Sequence, residues 1–588
     1  MHRSLSLFAA LVMITSCARP IPQSDPAPTG QAALFPMTSS ALNHVQHLID
    51  SLPLRDKIAQ LIMPWLLGGY ESLDATEMAQ ALKWVNSDHV GGIIISIGSP
   101  TEIAAKLNAL QRAAPLPLLI ASDLEGGTTF RFSTGGTAFP TQMGIGAGGR
   151  EDDAYQMGRI TALEGRAVGI HLAFAPVADV NSNPNNPIIN TRSFGGDPHA
   201  VARLVAATIR GIRDNGMFAT AKHFPGHGDT ETDSHLSLPT ITAGWTRFDT
   251  LELVPFRAAI NAGVDAIMSA HIALPALDPG QQRPGTLSPP VLTGILRDSL
   301  RFKGIIATDA LQMGAIVKEV GADEAPVLAF LAGSDLLLMP TDVGQAIDAM
   351  VRAVESGRIS RARVDQSVRK ILTMKEQLGL FPHRGVDLNH VSTVVGRSDF
   401  RQIGMDATQR SIVLLKDSTG IVDRMRAGPQ PITLVVMSES GTTLGATLAA
   451  DLRRKGFTIR QVTVPLTADS ATRDSLLRTI DKSTIALIAA SVRVSSGKGT
   501  IALPPSAEAA INALAARQAT VLVSFGSPYL ISQVPSVPSY VLAWAATATG
   551  ESAVANALTG AAITGKSPIV IPNGGVIGSG LLRPASPR

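Results

Sequence analysis

The sequence predicts an α/β protein of two unequal units: a (β/α)8 TIM-like barrel over residues 40–381, then a second α/β domain over residues 401–572. Three observations carry this. Between residues 52 and 381, eight short apolar runs alternate with longer helical patterns, at 59–63, 92–96, 116–123, 172–179, 218–224, 266–271, 304–309 and 335–339. These runs are almost continuously apolar rather than alternating, as strands are when helices cover both faces of a parallel sheet. Finally, Asp123, Asp179, the pair Lys222 and His223, His271 and Asp309 each sit at the C-terminal end of one of the runs.

Eight such units over about 330 residues match a barrel with insertions. A doubly wound open sheet shares the local periodicity. In a barrel, however, the C-terminal strand ends converge on one mouth, where the loops build the active site. A single polar residue at a strand end is read most simply as a partner for loop backbone. All five positions together read as one polar pocket.

The bulk properties bound the rest. A chain of 588 residues is too long for one ordinary core. With 45% hydrophobic and only 16% charged residues it is globular rather than disordered. The formal charge of +3 is small for this length and there is no long Lys/Arg run, which argues against nucleic acid as a partner.

The N-terminus predicts export. His2 and Arg3 precede an apolar run from residue 5 to 14 that is too short to span a bilayer, so residues 1–16 read as a secretory signal. Ile14-Thr15-Ser16-Cys17 resembles a bacterial lipoprotein cleavage box, in which Cys17 is lipidated and becomes the mature N-terminus. Cys17 is the only cysteine, so the mature domains have no structural disulfide and no catalytic thiol. Pro20, Pro22, Pro26 and Pro28 make residues 17–39 a tether. No later segment is apolar for long enough to be transmembrane, so the expectation is a periplasmic-facing lipoprotein held to the membrane through Cys17.

Beyond the eighth run, residues 357–381 form a closing helix, with Ser360 as N-cap and Val364, Val368, Ile371, Leu372 and Met374 as its apolar stripe. Residues 382–400 read as a polar linker. The second domain has candidate strands at 432–437, 458–463, 484–491, 520–525 and 540–545, and the tail at 573–588 has no clear pattern.

The chemistry concentrates in residues 222–239. This stretch ends the fifth strand, enters a Gly-rich loop and holds three of the chain's twelve histidines with two aspartates, a glutamate and a lysine. Two uses are open. His223 and His227 have the spacing of a helical metal-ligand pair, although Pro225, Gly226 and Gly228 oppose that helix. Alternatively, Asp233 orients the ring of His235 and stabilises its imidazolium, poising it for proton transfer near neutral pH. Asp309 closes Gly304-Ile305-Ile306-Ala307-Thr308-Asp309; such a carboxylate serves as a nucleophile, a metal ligand or a helix cap.

The run Lys222-His223-Phe224-Pro225-Gly226-His227-Gly228-Asp229-Thr230, followed by Asp233-Ser234-His235 and Pro239, resembles the signature of family 3 glycoside hydrolases in their bacterial β-N-acetylglucosaminidase branch. Asp123-Leu124-Glu125-Gly126-Gly127, Asn190-Thr191-Arg192-Ser193-Phe194-Gly195, Ala332-Gly333-Ser334-Asp335 and the closing helix match as well. The resemblance covers the first domain. In the second, Arg410-Ser411-Ile412-Val413-Leu414-Leu415-Lys416 resembles the entry to the family's C-terminal α/β sandwich.

The resemblance implies a retaining exo-acting enzyme that removes β-linked N-acetylhexosamine from peptidoglycan fragments or related amino-sugar chains, without a metal or other cofactor. Asp309 would be the nucleophile, and His235 paired with Asp233 the acid/base. Asp123, Arg131, Arg192, Lys222 and His223 would hold sugar hydroxyls. Where the family commonly has Arg then Val after the two glycines, this chain has Thr128 and Thr129. That departure bears on a neighbouring contact and on the preference for the substrate's reducing-side unit. The runner-up readings are a β-glucosidase-like or phosphorolytic family 3 enzyme and, more distantly, a barrel metallohydrolase using His223, His227 and Asp309.

Overall fold

The computed structural model describes residues 37–439, 443–494 and 497–586. The signal, Cys17 and all but the end of the tether lie outside them. Among the described residues no helix is long and apolar enough to cross a membrane.

In the first unit, nine short strands follow the chain: β1 (Ile62–Met63), β2 (Trp65–Leu66), β3 (Gly92–Ile95), β4 (Leu119–Ser122), β5 (Leu172–Ala173), β6 (Phe218–Phe224), β7 (Ala266–Ser269), β8 (Ile305–Ala307) and β9 (Leu337–Leu338). Strands β2 to β8 form one parallel sheet in chain order, and β9 pairs in parallel with β1. A parallel bridge from Ala307 to Leu336 links β8 to the segment entering β9. The sheet therefore curls, as in a TIM-like unit. Pro64, which has no N–H to offer a ladder, stands between β1 and β2.

Several strands are shorter than their apolar runs. The first run begins inside the helix Leu54–Ala59, and only two residues of the run at 172–179 lie in β5. Burial made these runs apolar, and a residue can be buried without pairing into the ladder.

Helices enter where capping residues allow. Ser99 and Glu102 form a reciprocal capping box around Pro100 at the head of Pro100–Ala113. Ser360 caps Arg361–Gln377, accepting from the Arg363 N–H at 3.2 Å. The buried stripe of that helix includes Val364, Val368, Ile371, Leu372 and Met374. Buried Asp335 clasps this helix to the N-terminal end of the sheet. It takes Ser367 Oγ at 2.6 Å, Lys370 Nζ at 2.9 Å and Arg363 Nη1 at 3.2 Å, and accepts the Ile306 N–H at 3.1 Å.

The segment read as a polar linker is more ordered than that. It carries the helix Leu388–Val394 and leads into Ser398–Ser411, whose Arg410 grips Asp153 through two hydrogen bonds of 3.0 and 2.7 Å. The second unit is a six-stranded sheet of β10 (Val413–Asp417), β11 (Pro431–Ser438), β12 (Thr458–Thr463), β13 (Ile485–Ser491), β14 (Thr520–Ser524) and β15 (Ser539–Leu542). Its order is β10-β15-β14-β13-β11-β12, parallel except for β10. Alternate residues of β11 feed two cores, Val435 and Met437 on one face and Leu434 and Val436 on the other. The first of these cores also takes in Met143 and Ala147 of the first unit.

Candidate active site

A cavity of about 440 Å³ opens at the C-terminal ends of the first unit's strands. Asp123, Arg131, Arg192, Lys222, His223, His235 and Asp309 all line it. Its inner wall is a charged cluster. Lys222, carried by β6 and 2% exposed, pairs with Asp123 and with Glu125, each at 2.7 Å. Arg131 takes the other oxygen of Asp123 at 2.9 Å. Arg192, on a short turn after residue 189, meets Glu125 through Nε and Nη2, both at 2.8 Å.

Burial alone would push these carboxylic acids up and the lysine down. For Asp123, the Lys222 and Arg131 charges outweigh burial and lower it. Glu125 is held well below the usual range by Arg192 and Lys222. Lys222 is raised in turn by Asp123 and Glu125. The cluster is therefore fully ionised, with its hydrogen-bonding groups fixed before any ligand arrives. Glu125 was not singled out by residue type. Its signal was its place in Asp123-Leu124-Glu125, two residues beyond a strand-end carboxylate.

The two remaining strand-end groups stand one layer behind the cavity. Asp179 accepts from His223 Nδ1 at 2.8 Å and, through its other oxygen, from the backbone N–H of His223 at 3.2 Å and of His227 at 2.7 Å. His271 lies between Thr286 Oγ1 at 2.7 Å and the Ala310 carbonyl at 2.9 Å, holding the turn that presents Asp309. Asp309 accepts the Ala310 N–H at 2.7 Å. Burial acts to raise it, but His271, His223 and that N–H prevail and bring it to about 2.

His235 lies at the cavity wall with Nδ1 2.7 Å from Asp233 Oδ1, which also accepts the His235 N–H at 2.9 Å. The Asp233 side chain is fully buried while that of His235 is 36% exposed. His235 therefore keeps Nε2 for whatever enters. Burial would raise Asp233, yet its bonds to His235 and to the Gly497 N–H lower it.

His223 and His227 do not form a helical ligand pair. Their rings meet edge to face with centroids 5.8 Å apart, and both nitrogens of His227 are engaged, by Thr230 at 2.7 Å and Ser234 at 3.2 Å. Burial, then His223, depresses His227 to about 4. Among the described residues no group of three or more His, Cys, Asp or Glu is arranged to hold a metal.

Thr128 is not beside the cavity. It is 1% exposed and donates to Glu164, which also accepts from Thr137 and from the Gly396 N–H at 2.8 Å. Its departure from the family pattern falls on packing between residue 164 and the segment at 396. The mouth of the cavity instead carries Trp65 and Phe130, 38% and 39% exposed. Val494 of the second unit also lines it.

The model of the glycosyl hydrolase family 3 N-terminal domain matches residues 53–374, and the chain belongs to that family. A β-N-acetylglucosaminidase/β-glucosidase from Cellulomonas fimi is 33% identical over 367 residues, 61% of this chain and 64% of that protein. The matched region thus spans less than two thirds of that relative. A solved family 3 β-N-acetylglucosaminidase from Paenibacillus sp. FPU-7 superposes with a TM-score of 0.79 at 34% identity, over 89% of this chain and 99% of that one. A solved β-glucoside phosphorylase gives 0.83 at 26% identity, over 92% and 98%.

Proposed function

We propose that the protein is a retaining exo-β-N-acetylglucosaminidase acting on peptidoglycan fragments or related amino-sugar chains. The observation that carries this reading is the meeting of Asp309 and the Asp233–His235 pair at one cavity whose inner wall is an ionised polar cluster. The glycosidic oxygen takes the proton from His235 Nε2 as the Asp309 carboxylate attacks the anomeric carbon. A covalent glycosyl-enzyme forms and the aglycone leaves as an alcohol. His235, now neutral, removes a proton from water as the water displaces Asp309, restoring both groups. Asp123, Arg131, Arg192, Lys222 and His223 bind the sugar hydroxyls, where a missing partner is costly and so confers stereochemical choice. Trp65 and Phe130 at the mouth meet the leaving group.

The names of the Cellulomonas and Paenibacillus relatives support an amino-sugar substrate. On this reading the curled sheet is a (β/α)8 barrel, the second unit an α/β sandwich, and Cys17 the lipidated anchor that places the enzyme against murein on the periplasmic side. The test is a panel of aryl β-N-acetylglucosaminide, N-acetylgalactosaminide, glucoside and xyloside, each with and without inorganic phosphate. Preferred turnover of the N-acetylglucosaminide, indifferent to phosphate, is expected. A preference for the glucoside, or dependence on phosphate, overturns the reading. Lipidation is checked separately by release of Cys17→Ala from membranes.

A further inference from the structure

We infer that the second unit takes part in proton transfer, through the backbone N–H of Gly497, which holds Asp233 in register with His235. This rests on the acid/base reading of His235.

The geometry comes from the topology of the second sheet. From β11 the chain moves outward to β12 and then returns to β13 on the other side of β11, so the order reverses between β11 and β13. At such a switch point in an open parallel sheet, the loops leaving the C-terminal ends diverge and form a crevice. Here the stretch following β13 reaches the first unit's cavity. Glu439, directly after β11, pairs with Lys498 from the loop after β13, and Lys498 Nζ also donates to the Arg493 carbonyl at 3.3 Å. On the same stretch Val494 lines the cavity, and the Gly497 N–H donates to Asp233 Oδ2 at 2.7 Å.

Oδ1 of Asp233 is already occupied by His235, and the side chain is closed to solvent. Gly497 is therefore the donor that saturates Oδ2 and stops the carboxylate turning away from the imidazole. The dyad loop is tied from the other side as well, where Lys318 Nζ donates to the Leu236 carbonyl at 2.9 Å. Gly497 has a φ of +77°, and no atom lies within 4 Å of where a Cβ would stand. The conformation, rather than crowding, calls for glycine here. Gly497 is a positioning residue: its amide touches Asp233, not the substrate.

The test compares Gly497→Pro, which deletes the N–H and also forces the backbone out of its +77° φ, with His235→Ala and wild type on two N-acetylglucosaminides. One has a dinitrophenyl leaving group, which needs little protonation, and the other a sugar leaving group, which needs full protonation. Gly497→Pro should lose about tenfold or more of kcat/KM on the sugar substrate and less than about twofold on the dinitrophenyl one. Lys498→Ala, which frees the loop without altering Gly497, should show the same signature in weaker form, with Lys498→Arg restoring activity. That pair decides the matter if the proline variant does not fold. Equal losses on both substrates, or none, in Gly497→Pro and Lys498→Ala overturn the inference. If His235→Ala alone shows the leaving-group signature, only the role of Gly497 fails; if none of the variants shows it, the acid role of His235 fails with it.

Discussion

Arg192 and Glu125, 67 positions apart in the chain, face each other through two parallel hydrogen bonds of 2.8 Å at the inner wall of the cavity. This fork-to-fork geometry fixes a guanidinium in the plane of a carboxylate. Lys222 shares the same carboxylate but keeps Asp123, so removing Glu125 leaves Arg192 as the cation without an ion-pair partner. Glu125→Ala should lose about 3–5 kcal/mol of stability, read by denaturant unfolding, with Glu125→Gln losing less. A Glu125→Ala variant as stable as wild type would show that the cluster does not depend on this carboxylate.

Asp309→Ala should abolish turnover of an aryl β-N-acetylglucosaminide while leaving the unfolding midpoint near the wild-type value. Normal turnover in that variant would remove Asp309 from the mechanism.

The depressed Asp309 also sets a pH dependence. A carboxylate lowered to about 2 is ionised at every pH above roughly 3, and protonates only as the pH falls through that value. With a dinitrophenyl leaving group, kcat/KM reports attack by Asp309 with little need for the acid. It should therefore stay flat on the acid side down to the pH at which the fold is lost. An acid limb centred near pH 5 with that substrate would contradict the assignment.

Thr128→Val removes a buried donor to Glu164 and should cost about 1–3 kcal/mol while leaving kcat/KM for short and long substrates unchanged. A shift in reducing-side preference would return Thr128 to the substrate path.

Lys375 is buried at the opposite end of the first unit, its Nζ donating to Gln60 Oε1 at 2.6 Å; burial, with Arg384, lowers it to about 7. Below pH 7 the folded protein must carry this buried cation. Between pH 7 and about 10.4 the folded state is neutral there while the unfolded chain remains charged, so the penalty shrinks as pH rises. Lys375→Met should therefore stabilise the protein, most at pH 6 and progressively less towards pH 10. Thermal unfolding at the two pH values checks this, and a gain that grows with pH refutes it.

Much of this was legible in the sequence because burial and chemistry leave composition behind. The strand runs were apolar, and Asp123, the pair Lys222 and His223, and Asp309 stood at the ends of three of them, so their convergence followed once the sheet curled. His235 was readable because Asp233 stands two residues away. What stayed hidden depended on pairing across distance. β10 escaped notice because Val413-Leu414-Leu415-Lys416-Asp417 follows a helix without a turn signal and pairs antiparallel at the sheet's edge. The departure at Thr128 looked like one bearing on a contact near the substrate because its partner Glu164 lies 36 residues on in a helix. Gly497 bears no side chain, so no residue type could mark its amide.

The tail beyond residue 572, patternless as sequence, returns to where the second unit starts. The Leu581 N–H rests on the Leu414 carbonyl at 2.7 Å, and Arg583 pairs with Ile563 and with Asp423. The tail thus closes on the strand with which the second unit begins. That layout suits circular permutation of the unit: a short peptide joining the tail to the residue before Val413, with a new break at an exposed turn, would preserve all six strands. The unit is still no free cassette: its core takes in Met143 and Ala147 and its Gly497 N–H holds Asp233, so a graft onto another barrel has to carry those contacts with it.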